Sequence, residues 1–187
     1  MSSRRVVHID ELESQFRQLS ERASALAGGL DPTLLCRRPK PESWSIAECL
    51  AHLNLSVDPY FPLWERGLAE ARRQNRTGEQ PYRLDFWGGV LVWTLEPPPK
   101  FRFPTPRPFQ PVDTGPVEAL LPAFLDRQHR VLQVLQASRG TAVDKIKVAS
   151  PFERRMRYSI WSSFCLTAAH ERRHLWQAER AAIALGG

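Results

Sequence analysis

The chain has 187 residues, of which 42% are hydrophobic and 25% are charged, and its net charge is +6. These values are ordinary for a soluble globular protein and exclude a chain that is disordered throughout. The length favours a single domain spanning residues 1–187, with its core at about 9–182, because such a chain can bury a core without crosslinks. The arginines occur as separated pairs rather than one tract, so a nucleic-acid partner is not expected.

The three cysteines are widely separated and form no CxxC pair or secreted-type framework. This usage is typical of a reducing compartment. The N-terminal residues become charged before any apolar run of signal-peptide length, and no stretch has the apolar length of a membrane span. We therefore expect a cytoplasmic protein without a membrane partner.

The first predicted element is an amphipathic helix. Its apolar residues are spaced three and four apart, as one face of a helix requires: Ile9, Leu12, Phe16, Leu19, Ala23 and Leu26. Gly28 and Gly29 end this helix. The following residues, Asp31 to Ser43, contain three prolines and are predicted to form a loop.

A second helix begins after Ser45. This serine is a suitable N-cap, and Glu48 lies three residues later, which is the spacing of a capping box. The apolar stripe then continues as far as Leu68. Pro59 and Pro62 fall inside this stretch, so we expect a kink or a break near Asp58.

The middle of the chain, roughly Gln74 to Gly115, is rich in proline. Its apolar piece from Leu84 to Leu95 is expected to form a helical turn or two. The remainder, PPPKFRFPTPRPFQP, is predicted to be an extended crossover, because its prolines lack backbone N–H groups. We expect its aromatic residues to pin it to the rest of the protein: Phe101, Phe103 and Phe109. A linker between two domains is the alternative, but neither half offers more than two good helices.

A third helix is predicted from about Pro116 to Ser138, and a short extended stretch follows from Ile146 to Tyr158. The fourth helix starts near Ile160 and ends at Gly186–Gly187. Four amphipathic helices joined by one long crossover between the second and third indicate an all-α four-helix bundle.

The fourth helix contains the string HERRH, from His170 to His174. Histidines four apart lie on the same side of a helix, one turn apart, so both imidazoles can reach one metal ion. Two unconnected histidines are the plainer reading of this short motif. The string also matches the zincin pattern HExxH, but the residues after His174 offer only Glu179 as a third ligand, and it faces away.

A third ligand must then come from another helix. His52 on the second helix is the best candidate, because bundles often supply metal ligands from facing helices. A histidine beside an apolar stripe is more usually a packing residue, which is the alternative. His129 on the third helix is a weaker candidate, and His8 precedes the first helix and is expected to be exposed.

Two segments resemble the hallmark motifs of the DinB/YfiT-like superfamily, in its DinB_2-type branch. They are WSIAECLAHL, from Trp44 to Leu53, and AAHERRHLWQAER, from Ala168 to Arg180. The resemblance covers roughly Ile9 to Ala182. It implies an up-down-down-up four-helix bundle in which a histidine of the second helix and an HxxxH pair of the last helix hold a metal ion. Carried over to this chain, the ligands are His52, His170 and His174.

Three neutral imidazoles favour Zn²⁺ or Ni²⁺, with Fe or Mn as the other options, and they leave a coordination position open. The resemblance implies a thiol-dependent transferase or isomerase, in which the metal binds a low-molecular-weight thiol. Water at the open position makes a metal-dependent hydrolase for a small-molecule substrate the other enzymatic option. Glu48 and Glu171 are weak candidates for catalytic or supporting roles, as acceptors for imidazole N–H groups. The alternative is a bundle that binds metal or a small molecule without turnover. Six tryptophans also lead us to expect a homodimer.

Overall fold

The computed structural model describes residues 6–101, 104–153 and 155–186. Within these ranges the chain is mainly helical. The α-helices are α1 (Ile9–Ala27), α2 (Pro32–Cys36), α3 (Ile46–Val57), α4 (Tyr60–Arg73), α5 (Phe86–Leu95), α6 (Val117–Ala137) and α7 (Ile160–Leu185). The short strands are β1 (Val6–Val7), β2 (Tyr82–Arg83), β3 (Lys147–Ala149) and β4 (Arg157–Ser159). In the described part of the chain, no helix is both long enough and apolar enough to cross a membrane.

Four of the longer helices surround one core. Helices α1 and α3 each pack against both α6 and α7, so α1 and α3 occupy opposite corners of the group. The core is formed by large side chains that are almost fully buried, including Phe16, Trp64, Phe124 and Phe164. This arrangement confirms the predicted all-α class.

The predicted cap and break of the second helix are both present. Ser45 Oγ accepts a hydrogen bond from the backbone N–H of Glu48 at 3.1 Å, and the Ser45 N–H donates to the Glu48 carboxylate at 2.8 Å. Helix α3 ends at Val57, and α4 begins after Pro59. Pro62 is tolerated because it lies in the first turn of α4, where backbone N–H groups have no partner within the helix.

Two elements differ from the sequence prediction. The predicted loop after α1 contains the short helix α2, in which Pro32 is the first residue and Asp31 is the cap, accepting from Thr33 N–H at 2.8 Å. The apolar piece in the middle of the chain forms the ten-residue helix α5 rather than one or two turns. The sequence alone does not fix the length of this helix, because the segment is apolar on all sides and its apolar residues show no helical spacing.

The predicted extended stretch before the last helix is an antiparallel hairpin of β3 and β4, with Val148 opposite Tyr158. Strands β1 and β2 form a second antiparallel pair. Between α5 and α6 the described residues contain a 3-10 turn at Arg107–Phe109. Phe109 is buried as predicted, whereas Phe101 is 50% exposed, and Phe103 lies outside the described residues.

Asp85 ties the start of α5 to the hairpin. Its carboxylate accepts from the backbone N–H groups of Gly88 at 2.7 Å and Ser159 at 2.5 Å, and from the Lys147 ammonium at 2.6 Å. Burial alone would raise the pKa of Asp85, but these hydrogen bonds outweigh it and lower the pKa below its ordinary value.

The Asp85→Asn variant is therefore expected to lose stability in a pH-dependent way. Because the folded pKa is depressed, the carboxylate contributes fully above its unfolded pKa of about 4, and the contribution is lost as the pH falls through the folded pKa. We expect urea unfolding at pH 7 to show a loss of about 1.5–3 kcal/mol, the usual range for hydrogen bonds to a charged group. The difference from wild type should shrink below about pH 4.

The matched control is Asp113→Asn, since Asp113 is exposed and, within the described ranges, its side chain accepts from the nearby Gly115 N–H alone. This control should change stability little at any pH. A difference between Asp85→Asn and wild type that stays constant from pH 7 to pH 3 would contradict the assigned role.

Candidate metal centre

Helices α3 and α7 pack together and bring three histidines to one point. His52 comes from α3, and His170 and His174 come from successive turns of α7. The ring centroids are 5.0 Å apart for His52 and His170, 4.5 Å for His52 and His174, and 4.6 Å for the α7 pair. One ring nitrogen from each residue lies within 4.8 Å of the other two. The structure thus places His52 beside the α7 pair.

Neighbouring oxygen atoms fix the orientation of two of the rings. His52 Nδ1 lies 2.7 Å from the carbonyl oxygen of Phe109, and His174 Nδ1 lies 3.1 Å from Gln177 Oε1. Because these oxygens accept hydrogen bonds, each Nδ1 carries the hydrogen and the lone pair of each of the two rings lies on Nε2. Histidines that bind a metal ion through one ring nitrogen usually donate the hydrogen of the other ring nitrogen to an oxygen, as these two do.

The third ring completes the donor set. His170 Nε2 lies 3.1 Å from His52 Nε2, so the two nitrogens face one another across a small gap. His52 and His174 are buried, and His170 is partly buried. Catalytic Zn²⁺ sites are commonly built from three protein ligands that converge in this way, and imidazole nitrogens are among the usual donors.

Burial also keeps the rings neutral. It lowers the pKa of His52, despite the hydrogen bond to Phe109, which raises it. Burial lowers the pKa of His170 and His174 far below the ordinary value, and positive charge on the neighbouring rings and on Arg173 adds to the effect. Only a neutral imidazole can bind a metal ion, so the protonation state fits the donor geometry.

Aromatic side chains enclose the three rings. The Trp44 ring is stacked on His174 at 5.6 Å and lies 4.9 Å from His52. The Phe152 ring, in the loop of the β3–β4 hairpin, lies 6.3 Å from His170 and 4.5 Å from Phe109. These aromatic residues come from a loop, the crossover and the hairpin, and no local pattern in the sequence connects them with the three histidines.

The two glutamates proposed as supporting acceptors have other partners. Glu48 is held by the Ser45 cap and by Arg38, whose Nε lies 2.9 Å from the carboxylate. Glu171 projects toward α6 and accepts from Gln128 Nε2 at 2.8 Å. Among the described residues, neither carboxylate is hydrogen-bonded to His52, His170 or His174. The Phe109 carbonyl and the Gln177 side chain take that place.

Glu171 is also buried, which is unusual for a charged residue. Its side chain is 2% exposed, and burial raises its pKa to about 8, although hydrogen bonding to Gln128 opposes the shift. On α7 it lies about 100° around the axis from His170, which directs it into the bundle and not toward the imidazoles.

The remaining candidates lie away from the site. His129 is exposed on α6, where its Nε2 lies 2.9 Å from Gln133 Nε2, and His8 is exposed at the start of α1. Glu179 pairs with Arg22 of α1 at 3.0 Å, as expected for a residue that faces away from the histidines. The zincin arrangement with a downstream ligand is therefore not formed.

Comparisons with known proteins identify the family of this chain. A model described as the DinB superfamily matches residues 15–178. Among solved structures, the fold is similar to that of YfiT from Bacillus subtilis, with a TM-score of 0.64 and 12% identity, over 100% of this chain and 94% of YfiT. YfiT is described as a probable metal-dependent hydrolase with an unusual four-helix bundle topology. No curated protein matches the sequence. Because the family match spans most of its length, the chain belongs to the DinB superfamily.

Proposed function

We propose that this protein is a metal-dependent enzyme that acts on a small-molecule substrate, with His52, His170 and His174 as the ligands of one divalent ion. The observation that carries this proposal is the convergence of three neutral imidazoles whose nitrogens lie within 4.8 Å of one another. Zn²⁺ and Ni²⁺ suit an all-imidazole donor set best, and Fe²⁺ or Mn²⁺ are the other options.

The chain's own residues would prepare the site for chemistry. A divalent ion supplies Lewis acidity when it is bound at such a site. The Phe109 carbonyl and Gln177 hold the rings of His52 and His174 in the orientation that binding needs. Trp44 and Phe152 form apolar walls beside the imidazoles, which would exclude bulk water and offer contact area to an apolar part of a substrate.

Hydrolysis is the reaction class that we propose first, and the description of YfiT as a probable metal-dependent hydrolase supports it. Thiol-dependent transfer is the second candidate. A three-histidine Zn²⁺ or Ni²⁺ site has room for a soft thiolate, and the family resemblance implies thiol-using members. We also propose the up-down-down-up helix order and the cytoplasmic location that the sequence led us to expect.

Turnover by the metal-loaded protein tests this function. The full chain, loaded separately with Zn²⁺ and Ni²⁺, would be assayed against chromogenic esters, amides and phosphoesters, and against electrophiles with low-molecular-weight thiols. We expect turnover in one panel, and its reduction to the uncatalysed rate in His170→Ala. The control variant His129→Ala alters an exposed histidine away from the site and should keep full activity.

The alternative, a bundle that binds metal without catalysis, predicts a different result. One ion per chain with no turnover in either panel would favour that alternative. Turnover that persists in His170→Ala would show that the reaction does not depend on the three histidines.

A further inference from the structure

Helix α5 has an unusually apolar outer surface. Phe86 is 67% exposed, Trp87 51%, Val90 37% and Trp93 55%. Phe86, Val90 and Trp93 are spaced four and three apart, so they form one stripe, and Trp87 lies on its flank. We call these four residues the α5 aromatic face. The opposite side of α5 packs against α7.

This face is larger than scattered surface residues would produce. Aromatic side chains each offer about 150–250 Å² of contact area, so three rings that are at least half exposed, with a valine, present on the order of 300–400 Å². The largest apolar patch on a typical monomer is about 300–600 Å² and often has a function. The helix FWGGVLVWTL also contains no charged residue. It therefore has the composition of the centre of an interface, which is rich in aromatic residues and poor in charge.

The charge of the protein indicates what can cover this face. The chain carries a net charge of +6, so two copies repel one another wherever their charged surfaces meet. Helix α5 adds nothing to this repulsion, because it carries no charged residue. Helix α5 itself carries no basic group that an acidic protein partner could pair with, and the ammonium of Lys100 beside it already lies over the Trp93 ring. A helix that lies on a membrane surface presents a basic polar face beside its apolar one, whereas the other side of α5 is covered by α7.

We propose that two copies of this chain associate through their α5 aromatic faces. A two-fold interface brings the same patch of each copy together, so an uncharged aromatic stripe is self-complementary. The face supplies roughly half of the ~800 Å² per partner that a stable complex buries, and its surroundings supply the rim. Lys100, whose ammonium lies 4.7 Å over the Trp93 ring, belongs to that rim.

Sedimentation velocity and light scattering of the full chain at physiological salt test this proposal. The wild type should have twice the mass of the chain at micromolar concentration. Trp93→Glu and, separately, Trp87→Glu should shift it to the monomer, with at least a ~30-fold rise in the dissociation constant, as for a hot-spot tryptophan. The controls Val112→Glu and Ile183→Glu alter side chains that are 89% and 65% exposed elsewhere, and they should stay dimeric.

Circular dichroism would show whether each variant keeps its helix content. Acrylamide quenching of tryptophan fluorescence gives a second readout, and it should rise on dilution of the wild type. A wild type that is monomeric at all concentrations, or a dimer that survives both tryptophan substitutions, overturns the proposal. So does sedimentation with anionic vesicles that is lost in Trp93→Glu, since this would assign the face to a membrane.

Discussion

The His174→Ala variant is expected to lose the ability to hold one divalent ion per chain. His174 supplies one of three nitrogens that converge between α3 and α7, and no other histidine lies close enough to replace it among the described residues. Loss of an outer hydrogen-bond partner already lowers metal affinity by about 10–100-fold, so loss of a ligand should lower it by more than about 100-fold. Elemental analysis of protein purified without added metal, followed by chelator competition with Zn²⁺ and Ni²⁺, would measure the effect.

The metal affinities of further variants distinguish a ligand from a residue that only orients a ligand. Gln177→Ala removes only the acceptor of the His174 Nδ1 hydrogen and should lower affinity by the smaller factor, about 10–100-fold. His129→Ala alters an exposed histidine on α6 and should leave affinity unchanged. Equal metal content in wild type and His174→Ala would refute the site. An effect of Gln177→Ala as large as that of His174→Ala would mean that the glutamine is itself a ligand.

Binding should also appear as added stability. An ion that binds only the folded state stabilises it by about 2.7 kcal/mol at a free concentration of 100 times its dissociation constant. We therefore expect Zn²⁺ to raise the unfolding temperature of the wild type and not that of His174→Ala. The variant should still fold without metal, because its core of large apolar side chains does not depend on the ion.

The parts of this structure that depend on local sequence rules could be predicted. The Ser45–Glu48 capping box, the break at Pro59 and the pairing of His170 with His174 each follow from residues a few positions apart. Such rules act within one or two helical turns, so one sequence is enough to read them. His52 was a weaker inference from the residues alone, because its distance from α7 depends on how two helices pack. The resemblance to a family is what identified His52 as the third ligand.

The surroundings of the site could not be predicted. The hydrogen bond from His52 goes to the backbone carbonyl of Phe109, and every residue type carries such a carbonyl. Trp44 lies within the quoted motif, yet nothing in the sequence shows that its ring stacks on His174. The burial of Glu171 against Gln128 could not be predicted either, because a charged residue is normally exposed and only the packed structure shows this contact.

The contact between α5 and α7 is another feature of packing alone, and two adjacent glycines reveal it. A Cβ on Gly88 would lie closer than van der Waals contact to Oγ and Cβ of Ser162, and 3.0 Å from Asp85 Oδ1. Ser162 cannot move aside easily, because it is fully buried and its Oγ accepts from Asp85 N–H at 3.1 Å and from the Ser159 hydroxyl at 2.8 Å. A Cβ on Gly89 would meet nothing within 4 Å.

Gly88→Ala is therefore expected to be clearly less stable than Gly89→Ala. Both gain up to about 1 kcal/mol of helix propensity from the same substitution in the same helix. Only Gly88→Ala overpacks the α5–α7 contact, at a typical cost of about 1–3 kcal/mol and more where the neighbours are fixed. Urea unfolding should thus show Gly89→Ala as stable as wild type or more so, and Gly88→Ala less stable than Gly89→Ala by at least about 1–3 kcal/mol. Equal stability of the two variants would mean that α5 does not lie against Ser162 in solution, since helix propensity cannot distinguish them.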